Sequence, residues 1–157
     1  MIKKTPKEEF IKGIKEMSPA MVATKSLSIA AYAHEGQVRT KGVEKGSAYI
    51  NHPMRVAAHF QTDPILYSIA ILHDVIEDTE VNYHDLLEMG IDPIVALMVL
   101  RLSRKSAQNY LEFILDIKQD NFARLVKIAD IKDNMATLEE GTMKDKYRLT
   151  LYILETT

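Results

Sequence analysis

The chain has 157 residues, 46% of them apolar and 27% charged, as expected of a single globular domain with one core. Twenty basic and 22 acidic residues leave a net charge of −2, which argues against non-specific nucleic-acid binding. Cysteine is absent, which excludes disulfides and thiolate metal ligands and fits a reducing compartment.

In chain order, the first residues, Met1 to Glu9, lack the apolar stretch of a signal peptide. The longest later apolar run, Ile94 to Leu100, is far too short to span a bilayer, so a cytoplasmic protein with no membrane partner is expected. The pattern predicts an all-α fold, with helices near residues 7–16, 19–35, 52–61, 64–77, 83–89, 93–103, 107–117, 119–140 and 143–155. Asp63-Pro64 and Asp92-Pro93 each place a capping acid before a proline suited to a first helical turn, and Asn51-His52-Pro53 does similar work one residue out of step. Gly90 stands where the helix after Tyr83 needs a left-handed exit. The stretch from Gly36 to Ile50 is the longest irregular segment. It holds three of the six glycines and the basic residues Arg39, Lys41 and Lys45. Long loops in compact domains are more often functional or disordered than structural.

The most informative run is His73-Asp74-Val75-Ile76-Glu77-Asp78-Thr79, directly after the apolar segment Ile65 to Leu72. On one continuous helix His73 stacks above Glu77 and Asp74 above Asp78. Buried unpaired charge is costly, and a bound cation is one way to satisfy such a cluster. Two further segments carry polar residues among apolar ones: Ala48 to Pro53, with His52, and Leu125 to Met135, where Asp130 shares a helical face with Lys127, Asn134 and Thr137. His52, His73, Asp74 and Asp130 together offer two imidazoles and two carboxylates, a set that suits Mn²⁺, Fe²⁺, Co²⁺ or Zn²⁺.

Blander readings exist for each residue. His52 alone fits a helix start beside Pro53, and Asp130 alone fits a solvated residue or a pair with Lys127. Glu77, Asp78 and Glu80 fit an acidic helix end, although acids there oppose the macrodipole. His34, at the end of a helix, fits a dipole-stabilised histidine or a supporting role better than direct ligation. The separated combination is a stronger signal than its parts.

Four segments, in this order, resemble the HD-domain phosphohydrolases, and more narrowly the hydrolase domain of RelA/SpoT proteins and the stand-alone small alarmone hydrolases. They are Ala33-His34-Glu35-Gly36-Gln37-Val38-Arg39, Tyr49-Ile50-Asn51-His52-Pro53, Ile71 to Thr79, and Val126 to Asp130 with Asn134-Met135. The resemblance covers about residues 20 to 155 and implies an HD-domain helical bundle, in agreement with the helical pattern. It implies removal of the 3′-pyrophosphate from guanosine tetra- or pentaphosphate alarmones, usually with Mn²⁺. It places one divalent ion on His52, His73, Asp74 and Asp130, and puts Glu77 and Asp78 on the pair that activates and orients the attacking water. Arg39, with Lys41 nearby, and Lys105 fall on phosphate-contacting positions. Asn134 and Thr137 fall on the nucleoside pocket, and Arg148 and Tyr152 on a further substrate-binding pair.

The chain departs from the family pattern at Ala48, where proline is usual, and at Ile131 and Asp133, where basic and His or Tyr residues are usual. Its loop from Thr40 to Ser47 is longer than in the bifunctional enzymes. These departures leave the ligand positions intact and fall beside the expected pocket. A chain of this length lacks room for a synthetase domain, so degradation rather than synthesis of alarmone is expected, with a nucleotide as the small-molecule partner and a homo-oligomer compatible with the reading. The competing readings are an HD phosphohydrolase acting on another nucleotide, such as a nucleoside monophosphate, a non-catalytic nucleotide-binding HD module, and a structural helical module.

Overall fold

The computed structural model describes residues 4–18 and 21–156. Among these residues the chain folds into ten α-helices: α1 (Lys7–Lys15), α2 (Val22–Ala33), α3 (Asn51–Ala58), α4 (Pro64–Leu72), α5 (Val75–Asp78), α6 (Tyr83–Glu88), α7 (Pro93–Leu102), α8 (Tyr110–Lys118), α9 (Asn121–Thr137) and α10 (Thr142–Glu155). The all-α expectation holds. The expected start of a helix at residue 19 falls on residues outside those described, and α2 is seen from Val22. No described helix is long and apolar enough to cross a membrane.

Side-chain caps account for half of the helix starts among the described residues. The Asp63 carboxylate accepts from the Ile65 and Leu66 N–H groups, both at 3.0 Å, with Pro64 opening α4. Asp92 accepts from Ile94 N–H at 2.8 Å ahead of Pro93. Asn82 and Asp85 form a reciprocal capping box at α6. Gly90 has φ +77 and closes that helix as its position required.

The core is built around α4. Ser68, Ile69, Ala70, Ile71 and Leu72 are all fully buried, and the helix packs on α2, α3, α7 and α9. This explains why α4 reads as apolar on every side.

One expectation is corrected. Residues 64–77 do not form a single helix. α4 stops at Leu72, and α5 is one separate turn from Val75 to Asp78. The His73 ring turns back and places Nδ1 2.7 Å from the Ala70 carbonyl, while Asp74 relaxes to φ −97, ψ −6. The Asp74–Asp78 relation survives, since Asp78 N–H donates to the Asp74 carbonyl at 2.9 Å. The expected stacking of His73 over Glu77 does not: Glu77 instead accepts from the Arg104 N–H at 2.8 Å.

The segment between α2 and α3 is irregular but ordered by pairing. An antiparallel bridge joins Val38 and Ala48, with Arg39 N–H on the Ser47 carbonyl and Tyr49 N–H on the Gln37 carbonyl, both at 2.9 Å. Its tip reaches the end of α9, where Val43 N–H donates to the Thr137 carbonyl at 3.0 Å. Gly42, at φ +71, makes that approach possible, because a Cβ there would collide with the Thr137 carbonyl. Gly42→Ala should therefore destabilise the fold by about 1–3 kcal/mol. Gly36→Ala, also at positive φ but with open space around the added carbon, should cost less, with urea titration of both variants as the measurement.

Candidate metal centre

Two helices and the break after α4 deliver the candidate ligand side chains. His52 comes from the first turn of α3, His73 and Asp74 from the α4–α5 junction, and Asp130 from the middle of α9. His52, His73 and Asp130 are buried, and their ligand atoms lie within 4.8 Å of one another. His52 Nε2 is 3.1 Å from Asp130 Oδ1 and 3.7 Å from Asp74 Oδ2. His73 Nε2 is 3.1 Å from Asp74 Oδ2 and 3.6 Å from Asp130 Oδ1. The structure thus brings together all four side chains proposed as ligands.

The hydrogen bonds at the rim fix what each ring presents. A carbonyl can only accept, so His73 Nδ1 carries the proton that binds Ala70, and the neutral ring keeps its lone pair on Nε2. That buried Nε2 has no aligned hydrogen-bond partner, although two carboxylate oxygens are near it. His52 is poised the same way, with Nδ1 2.6 Å from Asp133 Oδ2 and Nε2 facing Asp130. Two imidazole lone pairs and two carboxylates converging on one point, one nitrogen otherwise orphaned, fit a divalent cation.

Electrostatics agree. Burial alone would lower the pKa of both imidazoles, but the Asp130 and Asp133 hydrogen bonds outweigh it at His52, and the Asp74 charge with Asp130 outweighs it at His73, so both are raised. Burial would raise Asp74 and Asp130. The His73 charge instead pulls Asp74 down, and Lys127 with the two imidazoles holds Asp130 well below the usual carboxylate range. The pair with Lys127 is real, at 2.8 Å, but it occupies Asp130 Oδ2 and leaves Oδ1 turned to the histidines.

A cleft of about 450 Å³ opens beside the centre, with Arg39, Lys41, Asn134 and Asp78 among its walls. Tyr49 links the two regions: its hydroxyl is 2.6 Å from Asp74 Oδ2 and 3.0 Å from Asp78 Oδ2. Arg39 donates to Asn134 Oδ1 at 2.7 Å, and Asn134 Nδ2 donates to Asp130 Oδ1 at 2.6 Å. Glu77 and Asp78 are solvent-exposed at the rim of the centre, yet both are raised, in each case first by partial desolvation; Asp74 adds to the rise at Asp78, and the Arg104 N–H opposes it at Glu77.

Other expected substrate residues lie elsewhere. The Thr137 hydroxyl folds back onto its own helix at the Asn134 carbonyl, 3.1 Å away. Arg148 is exposed and paired with Glu140 and Asp145, and Tyr152 is exposed. Lys105 is in the exposed turn after α7 and does not line the cleft. The α10 residues that do face the cleft are Met143 and Tyr147, which sequence reasoning did not single out. It also gave no site role to Tyr49, Gln37 or Arg55. Tyr49 and Gln37 stand inside the matched segments, which was the available signal; Arg55, three residues after His52, carried none. His34 caps α2 and is buried, with Nδ1 2.8 Å from Gln37 Oε1 and its ring 4.8 Å from that of Tyr49. It stands beside the ligands rather than among them.

No family model matches the chain. It is 34% identical over 134 residues to the bifunctional (p)ppGpp synthase/hydrolase SpoT of Escherichia coli K12, a match covering 76% of this chain and 18% of that protein. It is 34% identical over 143 residues to the guanosine-3′,5′-bis(diphosphate) 3′-pyrophosphohydrolase of Vibrio cholerae, covering 83% and 20%. A GTP pyrophosphokinase of Myxococcus xanthus is 29% identical over 150 residues, covering 85% and 19%. The chain thus spans about one fifth of the length of these relatives. A solved structure of a metazoan ortholog of SpoT, described as hydrolysing ppGpp, superposes with a TM-score of 0.70 at 23% identity, covering 88% of this chain and 85% of that one, and supports the fold.

The 34% identity to the SpoT-type relatives, together with the helical bundle, places the chain in the HD-type class. Within that class, the chain belongs with the hydrolase domains of the RelA/SpoT proteins.

A pH experiment tests the centre. A raised imidazole pKa stabilises the fold fully below the unfolded value near 6.5, and that contribution is lost as pH rises through the folded values. In a chelator the melting temperature should therefore fall as pH climbs above 6.5. A divalent cation needs the neutral rings, so added Mn²⁺ should restore stability most at the alkaline end. A chelated protein whose melting temperature stays flat from pH 6.5 to 9, with no response to Mn²⁺, would contradict the assignment.

Proposed function

We propose that this chain is a metal-dependent phosphohydrolase that removes the 3′-pyrophosphate of a guanosine 3′,5′-bis(diphosphate) alarmone, with Mn²⁺ as its ion and the cytoplasm as its place of work. The observation that carries the reading is the orphaned Nε2 of His73, turned into a two-carboxylate, two-imidazole centre one tyrosine hydroxyl away from a basic cleft. His52, His73, Asp74 and Asp130 would hold the ion, which when bound supplies Lewis-acid polarisation of a phosphoryl oxygen and acidifies water.

The remaining chemistry belongs to the chain. Arg39 offers a planar fork for a diphosphate and Lys41 a point charge, both on the cleft wall. Arg39 is pre-positioned by Asn134 at one end and lies 5.6 Å from the Tyr49 ring centre. Asp78 and Glu77 are the proton acceptors. Asp78 is steered by Tyr49 and Glu77 by the Arg104 N–H, so each carboxylate keeps a fixed direction. The net charge of −2 supports a small nucleotide rather than a nucleic acid as partner.

The names of the relatives include synthesis as well as hydrolysis, and Asp133 beside His52 departs from the family pattern, so the nucleotide itself must be tested. With Mn²⁺ and a panel of guanosine 3′,5′-bis(diphosphate), GTP, GDP and nucleoside monophosphates, pyrophosphate release from the first alone is expected. Orthophosphate release from a monophosphate would move the assignment to another HD phosphohydrolase, and no turnover of any nucleotide would favour a binding module.

Glu77→Gln should lower kcat by roughly 10²–10⁴-fold with Mn²⁺ content unchanged, and Asp74→Ala should lose the ion. Full activity and full metal content in both variants would refute the assignment. An acceptor works only when ionised, and partial desolvation raises both carboxylates. The acid limb of kcat/KM should therefore lie above the ordinary 4.5 of a glutamate, falling as pH drops through it, and Glu77→Gln should remove or displace that limb.

A further inference from the structure

His52 is 1% exposed, so water cannot set the angle of its ring. The ring is set by Asp133, whose Oδ2 lies 2.6 Å from Nδ1. A carboxylate accepts and does not donate, so this contact keeps the proton on Nδ1 and turns the Nε2 lone pair toward Asp130 and Asp74. Asp133 is itself clamped. Arg55 reaches it through two nitrogens, Nε to Oδ1 at 2.7 Å and Nη2 to Oδ2 at 2.9 Å, and Nη2 also meets Glu44 at 2.7 Å.

The spacing makes the device compact. Arg55 follows His52 by three residues on α3, and Asp133 follows Asp130 by three on α9, so each helix supplies one ligand and one member of the clamp on the same face. His73 needs no such clamp, because the Ala70 carbonyl orients it from within its own helix.

Resting on the reading that an ion is held at this centre, we propose that Asp133 and Arg55 are positioning residues that fix the ring of His52 toward it. Glu44 extends the connection to the cleft loop that carries Arg39 and Lys41. Partners that orient a metal-ligating histidine typically contribute roughly 10–100-fold in affinity.

The test is Mn²⁺ titration calorimetry on the chelated full chain, with the visible spectrum of the Co²⁺ form as a second readout that a purely structural role would not move. Asp133→Asn should weaken Mn²⁺ by roughly 10–100-fold and shift the Co²⁺ bands. Arg55→Met should act in the same direction, and the double variant should be no worse than Asp133→Asn, because the two residues act in series. Asp133→Glu should recover part of the affinity. Should Asp133→Asn fail to fold, Arg55→Met decides, since it leaves both His52 and Asp133 in place. His52→Ala separates the two levels of the argument. If it loses Mn²⁺ while Asp133→Asn and Arg55→Met keep parental affinity and spectrum, the clamp is overturned and the metal centre stands. If His52→Ala itself binds Mn²⁺ like the parent, the metal centre falls and the clamp with it.

Discussion

The structure turns on the carboxylate of Asp130, which sits almost without exposure in the middle of α9. A lone buried carboxylate is too costly to keep, so every element near it brings a compensating group. Lys127 takes Oδ2 from one turn earlier on the same helix, Asn134 takes Oδ1 from one turn later, and His52 and His73 close in from α3 and the end of α4. Asp74, Asp130 and Asp133 raise the proton affinity of the two imidazoles. A site with that affinity for protons is also one that a divalent cation can enter in their place.

The break between α4 and α5 gives this centre its geometry. On an uninterrupted helix, neighbouring residues point roughly 100° apart, so His73 and Asp74 could not both face Asp130 and His52. The relaxed backbone at Asp74 lets two consecutive side chains converge, and the following turn sends Glu77 toward Arg104 and Asp78 toward the cleft. The adjacent His-Asp pair is therefore useful because the helix stops there.

This explains what the sequence could and could not reveal. Asp63-Pro64, Asp92-Pro93 and Gly90 were readable because capping is decided by a few neighbouring atoms. The stop at Leu72 was not, because no glycine or proline marks it and its cause is a histidine ring folding onto a carbonyl three residues back. The proposed ligand set was legible as residue types, and the structure brings those side chains together, whereas the groups around them depended on contacts across the fold. Asp133 stood out only as a departure from a pattern, since its partners His52 and Arg55 lie 81 and 78 positions away. On α10, spacing alone could not decide between Arg148 with Tyr152 and Met143 with Tyr147. Both pairs are four apart, and only packing against the loop turns the second pair to the cleft.

The loop between α2 and α3 then becomes part of the same unit. Toward α9 and α3 it is held by Arg39 to Asn134, Val43 to the Thr137 carbonyl, and Glu44 to Arg55, and toward α5 by Gln37 and Tyr49. The Thr137 carbonyl is one of the groups that the end of a helix leaves without an internal partner, so the loop caps α9 as it crosses it. Asn134 and Arg55 lie one turn beyond the proposed ligands Asp130 and His52 on α9 and α3. A shift of either helix would move the ligand and the cleft wall together. A substrate drawing Arg39 off Asn134 would likewise release a hydrogen-bonded neighbour of Asp130. The proposed phosphate-binding wall and the proposed metal centre therefore share two helices and one loop, so their relative placement is fixed by the same contacts.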